Sequence, residues 1–92
     1  MVLAPPTINI YDALEDLGFY AYSGEDGDLY RKHGLKGWRI SVYFGHYVEI
    51  QRRDGSRRWR TVRYYGDNGY NEAELQAAIQ DIKTLVEKGR LD

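Results

Sequence analysis

Four arginines and three aromatic residues share the nine positions of Arg57-Arg58-Trp59-Arg60-Thr61-Val62-Arg63-Tyr64-Tyr65. Guanidinium groups present paired N–H donors that suit phosphate or carboxylate, and aromatic rings stack on bases or anchor a protein partner. This is recognition chemistry. For catalysis the side chains are fewer. His33 and His46 are the two histidines that could move a proton near neutral pH, but no cysteine or serine nucleophile motif accompanies them. Glu25, Asp26 and Asp28 form an acidic turn that lacks the closing bidentate glutamate of a calcium loop, so it reads as a polar hairpin tip and no metal is expected. Gly66-Asp67-Asn68-Gly69 follows a strand without the lysine or the spacing of a phosphate loop, and reads as a strand-to-helix connection. The expected chemistry is binding, with no cofactor. The remaining route to catalysis is RNA cleavage through His33 or His46.

The formal net charge of -1 argues against a nucleic-acid partner until its distribution is considered. Residues 1–30 hold six acidic and no basic side chains; residues 31–65 hold ten basic side chains against Glu49 and Asp54; residues 66–92 hold six acidic and three basic. Either the blocks neutralise one another across the fold, or the molecule has two faces of opposite sign. The absence of cysteine excludes disulfides and thiolate metal sites. No apolar run approaches the ~20 residues that span a bilayer, and a soluble cytoplasmic protein is expected.

Ninety-two residues make one small domain. Residues 1–6 read as a tail that Pro5-Pro6 keeps extended, and residues 7–92 as the folded unit. A first helix starts at the N-cap Asn9, buries Ile10, Ala13, Leu14 and Leu17 on one face, and stops at Gly18. The last helix starts at Asn71, carries Leu75, Ala78, Ile79, Ile82, Leu85 and Val86 at helical spacing, and ends at Gly89; Tyr70 can staple onto Leu75. Strand signals lie between them, over 19–23, 29–33, 38–44, 46–52 and 57–65. The expected fold is α+β: helix, β-hairpin, three-stranded antiparallel meander, helix, with both helices on one face of the sheet.

Register decides what the other face holds. A two-residue turn at Asp54-Gly55 pairs Ile50 with Trp59 and Val48 with Thr61; a three-residue turn with a bulge sets Ile50 opposite Arg58, mixing charge into the apolar face. A turn centred on Gly45 pairs Val42 with Val48 and Ile40 with Ile50. The core face then carries Trp38, Ile40, Val42, Phe44, Val48, Ile50, Trp59 and Thr61. By parity Arg39, Arg53, Arg58 and Arg60 gather at one end of the outward face, tempered by Glu49. Tyr43, Tyr47 and Tyr64 form an aromatic end.

Such a face is either an ordinary solvated sheet surface or a docking surface. Its layout resembles three-stranded-sheet DNA-binding domains such as those at integrase N-termini. That resemblance implies a sheet face laid in a DNA groove or across single strands. The segment Ala13-Leu14-Glu15-Asp16-Leu17-Gly18-Phe19 resembles the opening of the HicA family of small RNases, which have a dsRBD-like fold. That family cleaves RNA through the histidine of a Gly-Ser-His, where this chain has Gly24-Glu25-Asp26-Gly27 and places His33 beyond it. The expected function is a non-enzymatic module that docks DNA or RNA, with Arg39, Arg53, Arg58 and Arg60 on phosphates and Tyr43, Tyr47 and Tyr64 stacking. The alternative is a small phage-type inhibitor or adaptor, in the manner of anti-CRISPR proteins. It would use the tyrosines, or an acidic surface of Asp12, Glu15, Asp16, Glu25, Asp26 and Asp28, against a larger nucleic-acid-binding protein.

Overall fold

Asparagine side chains start both helices. In the computed structural model, Asn9 Oδ1 accepts the backbone N–H groups of Tyr11 (3.0 Å) and Asp12 (3.2 Å), satisfying donors that the first turn leaves without intrahelical partners. Asn71 Oδ1 does the same for Glu74 N–H at 3.2 Å. The helices they open are α1 (Ile10–Asp16) and α2 (Glu72–Lys88). Gly89 closes α2 in the left-handed region (φ 76°), its N–H returning to Leu85 O at 2.7 Å. The structure describes residues 8–22, 28–43, 47–55, 58–66 and 71–91. The expected tail 1–6, the 24–27 turn with Glu25 and Asp26, Phe44, the Gly45 turn with His46, and the Tyr70 staple lie outside them.

Five strands connect the helices: β1 (Tyr20–Tyr22), β2 (Asp28–Arg31), β3 (Trp38–Tyr43), β4 (Tyr47–Arg52) and β5 (Arg60–Tyr65). They form a single antiparallel sheet in sequence order, so β2 joins β3 and the hairpin continues into the meander. The β3–β4 register is the expected one, with Ile40 opposite Ile50 and Val42 opposite Val48. Those four side chains, Trp38 and Tyr30 are buried, and with Ile10 and Leu14 of α1 and Leu75, Ala78, Ile82 and Leu85 of α2 they make one core. Both helices therefore cover the same face of the sheet. Among the described residues no helix is long and apolar enough to cross a membrane.

The β4–β5 register differs from the expected one. Val48 lies opposite Tyr65 and Ile50 opposite Arg63; a bulge then intervenes, and Gln51 faces Thr61 and Arg52 faces Arg60. Tyr65, not Trp59, completes the core beside Val48, and it is 8% exposed. Its hydroxyl donates to Asp81 Oδ2 of α2 at 2.5 Å, latching β5 to the helix. Burial, followed by that hydrogen bond and the Asp81 charge, pushes the Tyr65 phenol well above its ordinary pKa. The tight-turn argument failed because it treated the indole as obligate core and β5 as regular. The bulge adds one residue to β5, which reverses the parity of everything before it.

Candidate nucleic-acid interface

Reversed parity brings Trp59 to the face that neither helix covers. There its indole meets three guanidinium groups, with Arg39 Cζ 4.4 Å, Arg53 Cζ 4.8 Å and Arg31 Cζ 5.7 Å from the ring centre. Arg31 also lies 5.8 Å over the Tyr22 ring. The ring quadrupole attracts cations, and a ring close to three of them eases the repulsion that crowded like charges cause on a sheet.

Each arginine is placed by the sheet. Arg39 sits opposite Gln51, whose Oε1 accepts Arg39 Nε–H at 2.5 Å, and Arg39 Nη1 donates to the Tyr22 hydroxyl at 3.4 Å. Arg31 pairs with Tyr20 at the β1–β2 edge. Arg53 follows β4, where its N–H donates to Gly37 O at 2.8 Å. Gly37 has φ 84°, and a Cβ there would stand 2.8 Å from Arg53 O, so only glycine fits this approach. A guanidinium carries its donors in its plane, at its edge; on Arg39 Gln51 takes the Nε–H and the Tyr22 hydroxyl accepts from Nη1, and Nη2 is left for a ligand. Among the described residues no carboxylate lies at ion-pair distance from Arg31, Arg39 or Arg53.

The other end of the face holds the expected tyrosines. Tyr43 lies opposite Tyr47, and the Tyr47 and Tyr64 rings are 6.4 Å apart and inclined by 34°. Tyr64 is 47% exposed. Glu49 separates the two ends, accepting from the Thr61 hydroxyl and, at 3.5 Å, from Gln51 Nε2. Between the ends on the central strand is Ser41, 1% exposed, whose Oγ has no hydrogen-bond partner among the described residues.

Arg58 and Arg60 do not join this cluster, contrary to expectation. Arg60 lies opposite Arg52, whose guanidinium stacks on the core residue Trp38 at 5.1 Å, so Arg60 belongs to the helix-covered side of the sheet. It is exposed there and pairs with Asp54 at 3.2 Å. Arg58 is exposed ahead of β5, and the guanidinium groups over the indole are those of Arg31, Arg39 and Arg53. Thr61, expected in the core, is exposed on the outward face with Glu49.

His33 stacks on Tyr20, ring centres 5.0 Å apart. On α1, Asp12, Glu15 and Asp16 are exposed, and the charges of Asp28 and Glu15 both act on the Tyr30 phenol, whose pKa is raised chiefly by burial. Part of the expected acidic surface is thus brought together. Among the described residues no group of three histidine or acidic side chains could hold a metal. The sequence reading missed Arg31, Tyr22 and the outward placement of Trp59; parity puts Ser41 and Gln51 on the outward face, where the structure has them, but gave them no role. The alternation Leu29-Tyr30-Arg31 carried the signal for Arg31, once β2 is recognised as β3's neighbour. In comparisons with known proteins, no family model matches the chain, and no curated protein or solved structure is significantly similar to it.

Proposed function

We propose that this chain is a non-enzymatic binding module that docks nucleic acid, DNA or RNA, on the sheet face opposite its helices. The observation that carries the reading is the convergence of Arg31, Arg39 and Arg53 on Trp59, without a carboxylate partner among the described residues. Three guanidinium groups held together on one surface favour an anion, and phosphate is one that a guanidinium matches bidentately. The formal charge of the whole chain does not oppose this, because three of the six acidic residues of the N-terminal block, Asp12, Glu15 and Asp16, lie on α1, across the sheet from the indole. Titrating labelled DNA and RNA oligonucleotides at low salt tests it. Binding should weaken steeply as salt is added and should fall at least tenfold on Arg39→Ala. No binding to any oligonucleotide at low salt overturns the reading.

A second reading rests on the carboxylates of α1. Asp12, Glu15 and Asp16 are exposed, and the last turn of that helix carries no basic residue. Such a surface suits the basic groove of a larger nucleic-acid-binding protein, the mode of a phage-type inhibitor. A nuclease-resistant, stoichiometric complex that charge reversal at Asp12 and Glu15 abolishes would favour this reading over the first.

A further inference from the structure

Resting on the nucleic-acid reading, we infer that the ligand of this face is a single strand, with bases stacking at the tyrosine end and phosphates at the arginine end.

Sheet width carries the first part of the argument. Five strands at about 4.8 Å spacing put β1 and β5 roughly 19 Å apart. The major groove of B-DNA is about 12 Å wide and admits a two-stranded ribbon. Arg39 and Ser41 lie on β3, the middle strand, and so does the ring pair's neighbour Tyr43. An undistorted B-form groove does not receive the middle of a sheet that is wider than itself. The central arginine therefore meets a backbone laid across the surface.

The second part is the separation of the two chemistries. Arg39 and Tyr43 are four residues apart on β3, roughly 13 Å at strand rise. In a duplex the base faces are occupied by one another, and rings at this surface would meet only sugar and phosphate. In a single strand the bases can turn toward Tyr47 and Tyr64 while the phosphates of neighbouring nucleotides reach the guanidinium groups.

Four ligands of equal length separate the outcomes: oligo-dT, the same strand in duplex, an abasic strand, and inorganic polyphosphate. Oligo-dT should bind roughly tenfold more tightly than the duplex. Tyr64→Ala should weaken oligo-dT binding about tenfold and leave the abasic strand unchanged, because the base is what it loses. Tyr64→Phe keeps the ring and should keep the affinity, and at 47% exposure neither variant disturbs the core. Duplex or polyphosphate bound as tightly as oligo-dT, or equal losses for oligo-dT and the abasic strand in Tyr64→Ala, overturns the single-strand inference while phosphate docking stands. Failure of all four ligands to bind overturns docking and the inference together.

Discussion

The Arg39 guanidinium lies 4.4 Å from the centre of the Trp59 indole, on the side of the sheet away from both helices. An indole so placed holds cations in position and does little for the core. Truncating a core aromatic costs about 3–5 kcal/mol, whereas a solvent-facing cation–π contact is worth about 0.5–1 kcal/mol. Trp59→Ala should therefore lower stability by less than about 2 kcal/mol in urea denaturation, with Trp38→Ala much more damaging. A loss above about 3 kcal/mol would return the indole to the core.

The residue that does close the core is Tyr65, and its bond to Asp81 makes a pH-dependent latch. The phenol is protonated in the fold, and its pKa stands above the value of about 10 that it has in an unfolded chain. Below pH 10 both states keep the proton and the contribution is whole. Above it the unfolded chain ionises first and holds fewer protons than the fold, so stability declines as pH rises. Tyr65→Phe should cost about 1.5–3 kcal/mol at neutral pH, the range for a hydrogen bond to a charged group. It should also flatten the decline between pH 10 and 12 in paired denaturation curves. An unchanged alkaline slope would detach that decline from Tyr65.

Much of this architecture is legible in the chain because several local signals agree. Asn9 and Asn71 cap helices whose apolar stripes face one way, and the alternation through Trp38-Arg39-Ile40-Ser41-Val42 admits one register against Val48 and Ile50. Residues 57–65 have no such agreement. Arginine stems and aromatic rings are amphipathic, so either parity leaves a tolerable face, and a bulge decides what alternation cannot. The tyrosine end of the candidate face survived that error because Tyr64 lies after the bulge. The arginine end survived in part: Arg39 and Arg53 keep their places, Arg60 precedes the bulge and gives way to Trp59, and Arg31 is recruited from β2. Pairing between β2 and β3 is a fact that the 32–37 connection does not announce.

Gly37 sets the position of Arg53 and should tolerate no side chain. Alanine there must adopt φ 84° and bring its Cβ to 2.8 Å from Arg53 O, a backbone atom that cannot swing aside. Backbone strain of this kind costs about 1–3 kcal/mol. Gly37→Ala should lose that much in denaturation and shift the Arg53 amide resonance, through its bond to Gly37 O. Gly55 has φ 79° with nothing within 4 Å of its Cβ position, so Gly55→Ala should show the strain without moving Arg53. Equal perturbation of Arg53 by the two variants would mean that the close approach has no role in placing it.

The salt dependence of binding counts the arginines that touch phosphate. Each phosphate neutralised on a single strand contributes about 0.7 to the slope of log affinity against log salt, so Arg31, Arg39 and Arg53 together predict a slope of about -2. Arg31→Ala should reduce its magnitude by about 0.7. Arg60→Ala is the control, because Arg60 pairs with Asp54 and belongs to the helix-covered side. Its removal should leave the slope unchanged. If Arg60→Ala flattens the salt dependence and Arg31→Ala does not, the ligand lies on the other face and the Trp59 cluster is a surface ornament of the sheet. The two variants measured side by side therefore decide which face of the sheet serves binding.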